Sequence, residues 1–167
     1  LSRCDGIDSL DVDTDSLAAM AAAEDQVGFA MEVFAARSFG HATLGISDRH
    51  KTTSQRLISL SGAEDNRAKT YDVTQLLANP NTIVDSATGL YAPTDAVLEM
   101  NCARSEIAAV AASSTSSNAS TKSQTTSDDH SDDSREQSLG MLASMIADRV
   151  DLALTWGYPS FDEALFK

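Results

Sequence analysis

Along most of this chain apolar residues return every three or four positions, the period of one helix face rather than the alternation of a strand. The longest such run lies between Ser134 and Gly157. Ser134 followed by Gln137 is a capping-box start, and Asp132, Asp133 and Glu136 put negative charge where the helix dipole favours it. Leu139, Leu142, Ile146, Val150 and Ala153 then mark one face, and Met141, Met145, Leu152, Leu154 and Trp156 widen its arc. Gly157 and Pro159 supply the stop. Burying a large apolar side chain contributes about 1.5–3 kcal/mol, and ordering each backbone residue costs about 1–2 kcal/mol. This helix is therefore stable only against neighbours, in this chain or another.

A second helix is predicted from Ser16 to Ser38, ended by Gly40, with Leu17, Met20, Glu24, Val27, Met31 and Phe34 as its seam. Phe29 and Val33 make a second stripe, so the helix is expected between two neighbours. Glu24 interrupts the seam. It is expected at the seam's edge, reaching water, with an ion pair to Arg104 or Arg149 as the alternative. Ser47 or Asp48 can cap a third helix running to Leu60 and stopped by Gly62, with Ile46, His50, Thr53, Leu57 and Leu60 on one face. Its polar first half predicts partial exposure.

Residues 63–79 read as a further helix with Val73, Leu76 and Leu77 at its buried end, stopped by Asn79 and Pro80. Residues 82–91 read as a small β-hairpin or ordered loop around Gly89, with Tyr91 in ordinary packing rather than at an interface. Thr94 or Asp95 opens a helix whose face is Ala96, Met100, Ala103, Ile107 and Val110, ending in an alanine-rich stretch. From Ser113 to Ser134, thirteen of twenty-two residues are Ser or Thr, which predicts a solvated loop or a continuation of the helix before it. Ser160 and Glu163 repeat the capping-box spacing ahead of Leu165 and Phe166.

The pattern predicts an all-α fold, an antiparallel helical bundle or extended helical hairpins with a small β-hairpin near 82–91. Its parts are an acidic arm over 1–14, a helical domain over 15–112, a Ser/Thr-rich solvated loop over 113–134, and C-terminal helices over 135–167 completing the domain. No apolar run is long enough to span a bilayer. The first residues lack a signal-peptide core, although a chain starting without Met is compatible with processing.

Charge narrows the partners. A net charge of −13 argues against a nucleic-acid backbone or an anionic membrane. Asp outnumbers Glu by 18 to 7 and only four Lys are present, a bias suited to high salt or an extracellular setting and also found in acidic cytosolic proteins. Localisation stays open, with an external assembly slightly favoured. Cys4 and Cys102 are too few for a disulfide framework; two free thiols are expected, and a long-range pair is the alternative. Arg3 stands where a lipid-attachment cysteine needs a small residue.

Candidate chemistry is sparse. Asp11, Asp13 and Asp15 are spaced like the opening of a calcium loop, but Ser16 and Ala22 stand where that loop needs Gly and Glu, so an acidic arm entering a helix is expected. The acidic run around His130 reads the same way. Linear spacing gives His41 and His50 no Cys or carboxylate partners, and they are expected as a loop residue and a surface or seam residue. With no phosphate loop or paired-cysteine motif, no catalytic, cofactor or metal residue is assigned and no enzyme is expected. The expectation is a non-catalytic assembly subunit packing through its helices against copies of itself or other protein subunits. Trp156, Phe161, Leu165 and Phe166 are its candidate interface, and Asn118 is a candidate glycosylation site. The alternatives are an acidic binding module for a basic protein partner and a cation-binding or catalytic helical bundle.

Overall fold

The computed structural model describes residues 12–65, 67–120 and 129–160, with 115–120 and 129–135 by their backbone alone. Its elements are α1 (Thr14–Ala36), α2 (Leu44–Ser61), α3 (Thr74–Ala78), β1 (Thr82–Val84), β2 (Tyr91–Pro93), α4 (Thr94–Ser120) and α5 (Asp129–Thr155). The predicted helical bundle with a small hairpin is the fold observed. Cys4, Phe161, Leu165 and Phe166 lie outside the described residues.

Asp13 starts α1 by accepting a hydrogen bond from the Ser16 amide, while Asp11 lies outside the described residues. Every residue of the predicted seam is buried: Leu17, Met20, Glu24, Val27, Met31 and Phe34. A short turn reverses the chain into α2, capped by Thr43, four residues earlier than Ser47. The Ser47 hydroxyl donates to the Gly28 carbonyl at 2.6 Å and that of Ser54 to the Ala21 carbonyl at 2.6 Å. These two bonds set an antiparallel register and draw the two backbones together. The helix is partly exposed, as expected, through Leu44, Asp48, Arg49 and Thr52, while Ser47, His50, Thr53 and Ser54 turn inward.

The connection from Gly62 to Pro93 travels from the start of α1 back to its end, so α4 runs parallel to α2 and antiparallel to α1. The described residues of 63–73 form no helix, correcting that expectation: the stretch is polar, and Arg67 ties it down by bonds to Asp65, Ser54 and Gln55. Only α3 is helical there, with Val73, Leu76 and Leu77 half-buried against the core. In the hairpin Ile83 pairs with Ala92 and Val84 with Tyr91. Tyr91 is 74% exposed, against the expectation of ordinary packing.

Two further corrections concern the long helices. The backbone of α4 continues through the Ser-rich stretch to Ser120, carrying Asn118 with it, and α5 begins at Asp129, so most of the predicted 113–134 loop is helical. Their inward faces match the predicted ones in part, with Ala96 and Ala103 on α4 and Leu142 and Ala153 on α5 buried as expected. On α4, Glu99, Cys102, Glu106, Ala109 and Ser113 are buried while Ile107 is exposed. On α5, Ser138, Met141, Leu142, Met145 and Ala153 are buried while Leu139 is exposed.

The core is layered along the bundle. One apolar cluster joins Leu17, Met20, Leu57, Ala109, Leu142 and Met145. A second, toward the other end, joins Val27, Met31, Phe34, Ile46, Leu98 and Cys102. A third, under the hairpin, contains Ala92, Val97, Ala153 and Tyr158. Charged side chains separate the first two.

Candidate functional site

The charged layer sits where four helices meet. Glu24 comes from α1, His50 from α2, Glu99, Cys102 and Glu106 from α4, and Arg149 from α5. Glu24, His50, Glu99 and Glu106 are fully buried or nearly so, as is Cys102, and the Arg149 side chain is only 13% exposed. Heptad-like spacing produces this on each helix: Glu24 lies between Met20 and Val27 in the α1 seam, and Glu99, Cys102 and Glu106 follow at three and four on α4.

Hydrogen bonds fix the arrangement. Glu24 takes a two-pronged grip from Arg149, with Nε 3.0 Å from Oε1 and Nη2 3.1 Å from Oε2. His50 Nδ1 is 2.5 Å from Glu24 Oε2, and its Nε2 is 2.8 Å from Glu99 Oε1. The Cys102 thiol faces Glu106 Oε1 at 3.8 Å. One oxygen of Glu99 and one of Glu106, both named Oε2, are buried without a hydrogen-bond donor. The ion pair of Glu24 with Arg149 corrects the expectation that Glu24 reaches water and leaves Arg104 to another partner. His50 takes the seam position expected of it.

Protonation follows from these neighbours. Burial would raise the Glu24 carboxyl, but hydrogen bonding with Glu106 and His50 and the charges of His50 and Arg149 outweigh it and hold Glu24 well below the usual carboxylate range. Burial would lower His50, and its bonds to Glu24 and Glu99 reverse this and raise it. Glu106 is pushed well up by burial and then by Glu24, so the proton this pair shares resides on Glu106. Burial and the Glu24 charge push the Cys102 thiol well up. Two cations, His50 and Arg149, thus face the Glu24 carboxylate, and the far nitrogen of His50 bonds the Glu99 side chain.

The layer also carries metal-ligand chemistry. One donor atom each from Glu24, His50 and Cys102 lies within 4.8 Å of the others. Sequence spacing could not show this, because the three residues belong to three helices and meet only in the folded chain. The visible signal was a Glu and a His in otherwise apolar seams, together with carboxylates flanking a Cys at helical spacing.

The remaining singled-out residues lie elsewhere. His41, in the loop as expected, bonds Asp95 through Nδ1 at 2.9 Å and stacks on Trp156 with ring centroids 5.3 Å apart. Trp156 is half-buried against the second and third apolar clusters. Cys102 is a free thiol. Arg104 holds buried Asp85 at 2.8 Å beside the Tyr158 hydroxyl, tying the hairpin to α4 and the end of α5.

These features define a helical bundle, four long helices with a hairpin in the long crossover, built around a buried polar centre. No protein-family model, curated protein or solved structure matches the chain. Among the described residues, no helix is long and apolar enough to cross a membrane.

Proposed function

We propose that the chain is a cation-binding helical bundle, holding one divalent metal ion in its buried polar layer through Glu24 and His50. The single observation behind this reading is the convergence of carboxylate, imidazole and thiol donors within 4.8 Å of one another in the interior. Metal sites in bundles are built this way, from inward side chains on facing helices. The donorless oxygen on Glu99 supports it, since buried polar atoms are ordinarily satisfied. Native mass spectrometry of the full chain, stripped of metal and titrated with zinc, is expected to show one ion per chain. Glu24→Gln and His50→Gln are each expected to lose it. A protein that stays metal-free, or wild-type binding retained in both variants, overturns the proposal.

A second reading, assembly with copies of itself, is supported by α5. Leu139, Ala143, Ile146, Ala147, Val150 and Leu154 fall within about 100° of arc, taking 3.6 residues per turn. Four of the six are exposed and two are half-buried, and the strip lies away from the inward face. No charged residue interrupts it between Leu139 and Leu154. On a chain of net charge −13, such a strip is where two acidic surfaces can meet without repulsion. Light scattering across a concentration series tests this reading.

A further inference from the structure

Taking the cation-binding reading as its basis, we infer that Cys102 is a thiolate ligand to the ion, which makes the site one for zinc-class transition metals rather than magnesium or calcium. Hard cations take oxygen ligands, whereas a Cys, His and carboxylate set suits borderline metals. Cys102 is placed for this role. It is 2% exposed, its Sγ belongs to the same group of converging donor atoms as Glu24 and His50, and it shares its helix face with two carboxylates.

The surroundings fit the metal's demands. Bond lengths of about 2.0–2.3 Å put tetrahedral donor atoms about 3.3–3.6 Å apart. The widest separation, 4.8 Å at most, would close by about 1.2–1.5 Å, while Glu24 and His50, now 2.5 Å apart, would open by about an ångström. His50 would ligate through Nδ1, the nitrogen facing Glu24. Its Nε2 already bonds Glu99 at 2.8 Å, the outer carboxylate that fixes a ligating imidazole. Glu106, which carries a proton in the metal-free layer, lies 3.8 Å from the thiol and stands outside this ligand set. The charge balances as well. A divalent ion replaces the proton on His50 Nδ1 and the proton on Cys102 Sγ, both protons leave to solvent, and the layer's net charge is unchanged. Arg149 remains on Glu24 as counter-charge.

Cobalt(II) chloride is the probe, added to the reduced, metal-free full chain and followed by absorbance. One equivalent is expected to produce a sulfur-to-cobalt charge-transfer band in the near ultraviolet. Zinc should abolish the band and excess magnesium should leave it. Cys102→Ser is expected to lose the band and bind at least 10-fold more weakly, while Cys4→Ser keeps it. Glu99→Gln is expected to keep the band and weaken binding about 10–100-fold, as outer-shell partners do. Stoichiometric binding without the band, unchanged in Cys102→Ser, overturns thiolate ligation and leaves the cation reading standing. No stoichiometric binding, or only many weak equivalents without the band, overturns both.

Discussion

His50 bridges Glu24 and Glu99, one ring nitrogen 2.5 Å from the first carboxylate and the other 2.8 Å from the second, with no exposure to speak of at any of the three. A single imidazole thereby joins α1, α2 and α4 through their interior, and Arg149 adds α5 through Glu24. Apolar packing can slide by a turn at modest cost, but a two-sided hydrogen-bonded ring cannot. The polar layer thus ties all four long helices together at one level of the bundle.

Breaking that layer on one side should cost more than removing it. Arg149→Met leaves the Glu24 carboxylate buried without its guanidinium, a change expected to lower unfolding free energy by about 3–5 kcal/mol. Adding Glu24→Gln removes the stranded charge and should recover a large part of the loss. A double-mutant cycle by urea denaturation measures the coupling. Strictly additive effects would show that the pair does not interact as described.

Stability should fall toward alkaline pH. Native His50 holds its proton more tightly than the unfolded chain, so its contribution is complete below the ordinary value of 6.5 and is lost as pH rises through the folded value. Glu106, raised from 4.5, and Cys102, raised from 9.0, act in the same direction. Glu24 and Asp85 oppose them: their contributions are complete above 4.5 and 3.8 and are lost as pH falls through their depressed folded values. The optimum for the metal-free protein is thus expected on the acidic side of neutrality. Denaturation midpoints from pH 4 to 10 test this, and His50→Gln should flatten part of the alkaline slope.

The helices were legible because their apolar seams repeat, and α1 was legible residue by residue, from Leu17 to Phe34. The faces of α4 and α5 were legible only in part, through Ala96, Ala103, Leu142 and Ala153. Both carry apolar residues on more than one side, so Ile107 and Leu139 look as core-like in sequence as Met141 or Ala103. The inward faces also hold Glu99, Glu106 and Arg149, residues that a hydrophobicity pattern assigns to water. The site was hidden for the same reason. A charge in a seam is costly alone, and only three-dimensional pairing reveals that Glu24, His50 and Arg149 compensate one another.

Gly28 marks where α1 and α2 approach most tightly. A Cβ there would stand 2.9 Å from Lys51 Cγ, 3.2 Å from His50 Cβ and 3.2 Å from the Ser47 carbonyl. Alanine is favoured over glycine within a helix by about 1 kcal/mol, but the crowding opposes it. Gly28→Ala is expected to be net destabilising by about 1–2 kcal/mol, within the usual cost of overpacking, and to displace His50 from its two carboxylates. A stabilised variant in thermal denaturation would show that the helices have room to part.

Beneath the hairpin, Tyr158 shares the Asp85 carboxylate with Arg104. Tyr158→Phe removes the hydroxyl and leaves the ring packed on Val97 and Ala153, so its effect isolates the hydrogen bonds. Bonds to a charged group contribute about 1.5–3 kcal/mol, and a loss in that range is expected by urea denaturation. Because Asp85 anchors the turn of the hairpin, amide exchange should rise over residues 85–91 before it rises in α1.

The strip on α5 separates packing inside the chain from packing between chains. Ala143 and Ala147 are exposed and face away from the core, so a glutamate at either should change unfolding free energy by no more than about 0.5 kcal/mol in the monomer. In an assembly built on this face each copy would bring its added charge against its partner's. Ala143→Glu and Ala147→Glu are therefore expected to shift the self-association midpoint at least 10-fold upward in concentration, by light scattering, with helicity unchanged. A wild-type chain that remains monomeric at millimolar concentration would remove the basis for assembly through α5. Association insensitive to both substitutions would move the interface to another face. The metal titration is independent of this result, because the proposed donors Glu24, His50 and Cys102 all lie on the inward side of the helices.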